Sequence, residues 1–179
     1  MTDPAAFDLS RLRAAMWPDG TGPERRVYAL LDGARAPEIE HLVKTSGADH
    51  RCLYAGTLAP ELAAVAPYLV HLVRESPATQ VVLERAVGAA WGVFVVAYEG
   101  IETLRRHFRR FLRVRTESDE PLLFRFYDPR VLRAYLPTCT AIELEEIFGP
   151  AEELFYDAPA PNAVIAARRN DGRLIEQPL

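Results

Sequence analysis

From Val27 to Phe148, short apolar runs alternate with segments whose apolar residues recur every three or four positions. Val27–Leu31 is uncharged and closes on Asp32-Gly33, the pattern of a strand ending in a turn. Pro37 sits at a first helical position, and Ile39, Leu42 and Val43 share one face through Lys44 before Gly47 stops the helix. Arg51–Ala55 is a second apolar stretch, and Pro60-Glu61 opens a short helical turn before Pro67. Tyr68–Val73 is apolar, but its periodicity does not separate strand from helix. Ser76 and Pro77 mark a helix start, as N-cap and first helical residue, for an apolar face of Val82, Leu83 and Ala86. Trp91–Tyr98 is uncharged and rich in β-branched and aromatic residues, as expected of a strand buried on both faces. Ile101, Leu104, Phe108, Phe111 and Leu112 then define the most strongly amphipathic helix of the chain.

Beyond a charged turn at Thr116–Glu120, Leu122–Tyr127 alternates as a strand, with Arg125 and Tyr127 on one side. Asp128-Pro129 repeats the cap logic of Ser76-Pro77, and Pro137 ends that helix. Thr140–Phe148 predicts a further helix stopped by Gly149-Pro150. Glu152–Tyr156 and Ala163–Arg168 suit late strands, and Asn170–Leu179 a tail. At the other end, Leu9–Met16 suits a short helix within a lead-in broken by prolines and glycines. The expected organisation is a lead-in over residues 1–26, a core over 27–150 and a short C-terminal extension over 151–179. The alternation of strands and helices predicts a single α/β domain, with a largely parallel or mixed sheet and helices packed on it.

Composition narrows the function classes. A chain of 179 residues buries enough apolar surface to need no disulfide or metal. Cys52 and Cys139 have no paired spacing, which suits buried free thiols in a reducing compartment. The net charge of −4 argues against a dedicated nucleic-acid binder. No apolar core follows a basic start at the N-terminus, and the longest apolar run, Ala86–Tyr98, is too short to span a bilayer. A cytoplasmic protein with no membrane partner is expected.

Signatures of the large enzyme classes are missing from the sequence. No serine lies in a G-x-S-x-G elbow, Lys44 (the only lysine) follows no glycine-rich loop, and no G-x-G-x-x-G is present. His41, His50, His71 and His107 are scattered without ligand spacing, so no metal or cofactor is expected. One combination could still form an acid–base or anion site: Asp32 at a strand end, with His71 and Arg125. Asp32-Gly33 equally suits plain turn chemistry, and Asp32 is a candidate ion-pair partner for Arg125. Residues 101–115 hold six arginines and one acid, a net +5, so the remainder of the chain carries −9. Arg105, Arg106, Arg109 and Arg110 on that helix are candidates for docking an acidic partner. The competing reading is a solvated face neutralised by Glu117, Asp119 or Glu120, or by the acidic group Glu143, Glu145, Glu146, Glu152 and Glu153. Arg125 and Arg130 are further partner-binding candidates.

Four blocks occur in a familiar order: Val27–Ala34, with its apolar-Asp-Gly ending; Leu53–Leu72, containing Ala66-Pro67-Tyr68-Leu69-Val70; Trp91–Phe94 followed by Leu104–Phe108; and Leu123-Phe124-Arg125-Phe126-Tyr127-Asp128-Pro129-Arg130 through Phe148-Gly149-Pro150. Together they resemble the family listed as domain of unknown function 4123, whose members are described as type VI secretion effector chaperones or adaptors. The last block is the most specific. The resemblance implies a non-enzymatic protein without a cofactor. It would bind a toxic effector in the producing bacterium and help place it on the spike protein of the secretion tube. Many relatives continue into a variable C-terminal lobe, whereas only 29 residues follow Pro150 here.

Overall fold

A computed structural model describes residues 7–20, 22, 24–115 and 119–179. The helix α1 (Leu9–Met16) precedes β1 (Arg26–Asp32), α2 (Glu38–Thr45), β2 (His50–Cys52), α3 (Pro60–Ala64) and β3 (Pro67–Leu72). Then follow α4 (Pro77–Ala86), β4 (Gly92–Ala97), α5 (Ile101–Arg109) and the hairpin of β5 (Arg113–Arg115) and β6 (Pro121–Leu123). The chain closes with α6 (Pro129–Tyr135), a 3₁₀ turn at Leu136–Thr138, α7 (Ala141–Phe148), β7 (Ala151–Asp157), β8 (Val164–Asn170) and β9 (Arg173–Pro178).

The local signals act as the side chains require. Ser76 accepts from the Thr79 N–H at 3.1 Å and Asp128 from the Arg130 N–H at 3.0 Å. Thr140 and Glu143 form a reciprocal capping box at α7. Gly149 ends α7 at φ +49°, where an added Cβ would lie 2.2 Å from the His107 ring.

The seven main strands run in the order β2-β3-β1-β4-β7-β8-β9, and every neighbouring pair is antiparallel. The expected parallel or mixed sheet is therefore wrong. Strands joined through a helix, β1 to β2 and β3 to β4, do run the same way. However, each pair straddles a third strand of opposite direction, so no parallel neighbours form. This is the split β-α-β arrangement of ferredoxin-like folds, here extended by the meander β7-β8-β9.

Burial on both faces was the signal that suggested a parallel sheet, and the burial itself is real. Val27, Ala29 and Leu31 of β1 face one core with α1, α2 and α4. Tyr28 and Leu30 face a second core with α5, α6 and α7. Helices thus cover both sides of the central strands, which is enough to bury them whatever their direction.

Two further corrections concern the chain after α5. The strand expected over Leu122–Tyr127 ends at Leu123. Leu122 and Leu123 are both exposed, while Phe126 and Tyr127 are both buried, so the apparent alternation does not correspond to two sheet faces. The Asp128 N–H closes a turn on the Arg125 carbonyl at 2.9 Å, leading directly into α6. The expected tail beyond Asn170 is instead strand β9, paired along β8 from Asn170↔Arg173 to Ile165↔Pro178. Of the turn expected at Thr116–Glu120, residues Thr116, Glu117 and Ser118 lie outside the described residues, as do parts of the lead-in.

Candidate functional site

At the C-terminal end of β1, the alternation of the strand turns Asp32 toward the α5–α7 layer, the same way as Tyr28 and Leu30. The segment after β6 crosses this strand end and delivers Arg125. The Arg125 Nη2 donates to Asp32 Oδ2, while Asp32 Oδ1 accepts the Ala34 N–H at 3.1 Å. Asp32 is 0% exposed and the Arg125 side chain 36%. Asp32 therefore serves both roles the sequence offered it, turn former and ion-pair partner. Burial, with Tyr54 and Asp32 beside it, pushes the Tyr127 phenol well above its ordinary range.

Just beyond, Asp128 caps α6 and is gripped by Arg130, whose Nε and Nη2 donate to the two carboxylate oxygens at 3.0 and 2.6 Å. The Asp128 carboxyl lies below its usual range: burial works to raise it, and the Arg130 and backbone hydrogen bonds outweigh that. Arg130 itself is exposed and borders an open groove of about 680 Å³ with Val131, Ala134, Tyr135 and Thr138.

His71 does not join this cluster. It pairs with Tyr28 across β1 and β3, whereas Asp32 pairs with Pro67. Four register steps separate them, roughly 13 Å at strand rise. The His71 ring lies against Tyr28, centroids 5.2 Å apart, and burial lowers its pKa. Cys52 and Cys139 are half-buried free thiols far apart in sequence. Among the described residues, no group of His, Cys, Asp or Glu could hold a metal ion, and every buried side-chain polar atom has a partner.

The arginine helix behaves differently from the ion pairs around Asp32 and Asp128. Arg105 is tied down: its Nε donates to the Cys52 carbonyl at 3.0 Å and its Nη1 lies 3.6 Å from Glu102. Glu102 itself also accepts from Arg51. Arg106, Arg109 and Arg110 lie three and four residues apart, hence on one side of α5 and its last turn. Among the described residues, neither these three nor Arg113 forms an ion pair. Three of the acids considered as counter-charges are engaged elsewhere, Glu145 with Arg169 at 2.8 Å, Glu153 with Arg25 at 2.9 Å and Glu143 in the capping box, while Asp119 pairs at 2.9 Å with Arg115 of the arginine-rich segment itself. Glu117 lies outside the described residues.

Sequence reasoning missed the surface next to this helix. The β5–β6 hairpin leaves Leu122 53% and Leu123 46% exposed. Leu123 stands directly across from Arg113, and Leu122 from Val114. The available signal was a Pro-Leu-Leu run directly after Asp119 and Glu120, which the sequence reading had placed on a longer strand. Chemically, this region offers strong hydrogen-bond donors and apolar side chains to a partner.

The chain is thus a three-layer domain, helices on each side of an antiparallel sheet. It belongs to the family described as domain of unknown function (DUF4123), which matches residues 27–146. No curated protein and no solved structure matches the chain. Among the described residues, no helix is long and apolar enough to cross a membrane.

Proposed function

We propose that this protein is a non-enzymatic adaptor that binds a toxic effector in the producing bacterium and helps load it onto the type VI secretion spike. The observation that carries the binding half of this reading is the arginine face of α5, where Arg106, Arg109 and Arg110 form no ion pair among the described residues. Arginine is enriched at protein interfaces and among the residues that carry their binding energy. The secretion half rests on the four sequence blocks, from Val27-Tyr28 to Phe148-Gly149-Pro150, that resemble described effector chaperones.

The other reading, a small hydrolase or phosphate-handling enzyme using Asp32, His71 and Arg125, requires the three side chains to converge on one cleft. Asp32 is buried against Arg125, and His71 stands near the opposite end of β1. The adaptor reading is tested by co-expressing the tagged chain with the effector encoded beside its gene and with the spike protein. Retention of the effector through purification is the expected result. Loss of both partners would refute the assignment.

A further inference from the structure

We infer that β9 is a pairing edge at which two copies of this chain join antiparallel, about a two-fold axis at Ile175, to make one continuous sheet. The inference does not rest on the adaptor reading.

The main sheet has two edges, β2 and β9, and the fold treats them differently. Along β2, the Asp49 carbonyl accepts the His71 N–H and the Leu53 N–H donates to the Pro67 carbonyl, so alternation turns the carbonyls of His50 and Cys52 outward. Both are occupied: Arg51 Nη1 donates to His50 at 2.7 Å and Arg105 Nε to Cys52 at 3.0 Å. Along β9, the Leu179 N–H donates to the Val164 carbonyl at 2.9 Å, so Gln177, Ile175 and Arg173 also turn their main-chain groups toward β8. Leu174, Glu176 and Pro178 turn theirs away. Among the described residues, nothing bonds to the outward groups of Leu174 or Glu176. A row of unpaired N–H and C=O groups is a template for another strand.

The order of residues in β9 suits a second copy in one register. Centred on Ile175, Leu174 stands opposite the partner's Glu176 and Glu176 opposite the partner's Leu174, and both pairs exchange their two N–H···O bonds. Arg173 falls opposite the partner's Gln177, whose amide oxygen can accept from the guanidinium. Sliding the strands two residues either way is worse. In one direction Glu176 opposes itself, like charge against like charge, and Leu174 meets the partner's Pro178, which has no N–H to give. In the other direction the ladder is spent on Gly172, which belongs to the β8–β9 turn at φ +71°.

Ile175 supplies the apolar contact. It is half-buried, yet it packs with neither core, unlike Leu174 and Leu179 on the same strand. On the axis it meets the partner's Ile175 in a pair without hydrogen bonds, where opposing side chains come closest. The axis runs perpendicular to the sheet, so the layers of α5, α6 and α7 from both copies lie on one side of the joined sheet. Both arginine faces are thereby offered to the same side. A contact of one short strand is smaller than the surface a permanent dimer buries, so the dimer is weak, half-formed at roughly 0.1 mM. The net charge of −4 on each copy opposes association, and salt relieves that repulsion.

Sedimentation velocity on the purified full chain, from about 10 µM to about 1 mM, should show monomer giving way to dimer, more readily at higher salt. Ile175→Lys and Ile175→Glu, studied separately, should each weaken dimerisation by about tenfold or more, because each sets a charge against itself. Mixed in equal amounts, the two variants should associate at least as tightly as the parent. Leu174→Pro removes an outward N–H and should also weaken the dimer. Hydrogen exchange on the parent gives a reading that needs no variant: the Leu174 and Glu176 amides should slow as concentration rises, while the Ile175 and Gln177 amides, already bonded to β8, stay unchanged. A parent still monomeric at about 1 mM, a dimer indifferent to Ile175→Lys, exchange at Leu174 and Glu176 that ignores concentration, or folded charge variants that stay monomeric when mixed would each overturn the inference.

Discussion

Replacing Arg125 with alanine should destabilise the protein through a carboxylate left behind rather than through a lost contact. Asp32 is 0% exposed and has two side-chain partners, the Arg125 guanidinium and the Ala34 N–H. Removing one member of a fully buried pair costs about 3–5 kcal/mol, and an exposed pair contributes about 0–1 kcal/mol. Arg125 is 36% exposed, so water screens its side of the pair and reaches toward Asp32 once the side chain is gone. The remaining Ala34 hydrogen bond offsets part of the loss. These considerations place Arg125→Ala at roughly 2–3 kcal/mol, between the two limits. For a chain of this size, that is a fall in Tm of about 4–12 °C. Urea unfolding at pH 7, followed by the fluorescence of the buried Trp17 and Trp91, reads it directly. Asp32→Asn and the double variant complete a cycle. The double variant should lose less than the sum of the singles by at least about 1 kcal/mol. A loss below about 0.5 kcal/mol for Arg125→Ala, or strict additivity in the cycle, would show that the pair does not carry this strand end.

Other parts of the fold make separate predictions. Asp128→Ala removes the α6 N-cap and the seat of Arg130 and should cost about 1 kcal/mol in the same urea experiment, with Asp128→Asn closer to the parent. Gly149→Ala forces a Cβ into the His107 ring at a positive φ, so several degrees of Tm should be lost, about 1–3 kcal/mol from backbone strain alone. Burial lowers the pKa of His71 and His107 in the fold, so the unfolded chain takes up protons first as pH falls. Their contribution is complete above about 6.5 and declines as pH drops from there toward the lowered folded values. The urea midpoint should therefore fall between pH 7 and pH 5, and His107→Gln should flatten that slope. Ending the chain after Asn170 removes β9 and leaves the buried Tyr156 hydroxyl without Glu176, its partner at 2.5 Å. The shortened protein should melt several degrees lower in a thermal scan.

Much of the local structure was legible in the sequence because the signals are chemical. Ser76-Pro77, Asp128-Pro129 and Thr140 start helices since their side chains satisfy exposed N–H groups. The Asp32–Arg125 pair was legible as a possibility, because a half-buried arginine requires an acceptor. Strand direction was not legible. Trp91–Tyr98 records that both faces are covered, but it carries no trace of which neighbour lies alongside. Only the spatial insertion of β1 between β3 and β4 decides that. The extent of the strand expected over Leu122–Tyr127 was misread for a related reason. Alternation identifies a buried face only when a second layer lies against it, and β6 lies at the margin of the domain, where none does.

The layer that bears the arginine face enters and leaves the sheet at one place. It departs after Ala97 of β4 and returns at Ala151 of β7, and those two residues are cross-strand partners. Residues 98–150 are therefore, in topological terms, one long excursion between neighbouring rungs of a ladder. Closing such an excursion depends only weakly on its length. The helix and hairpin within it can lengthen, shorten or change charge while the rungs at Ala97 and Ala151 stay in register. A lineage could thus exchange what this surface recognises by rewriting one contiguous stretch of gene, leaving the codons of the central strands untouched.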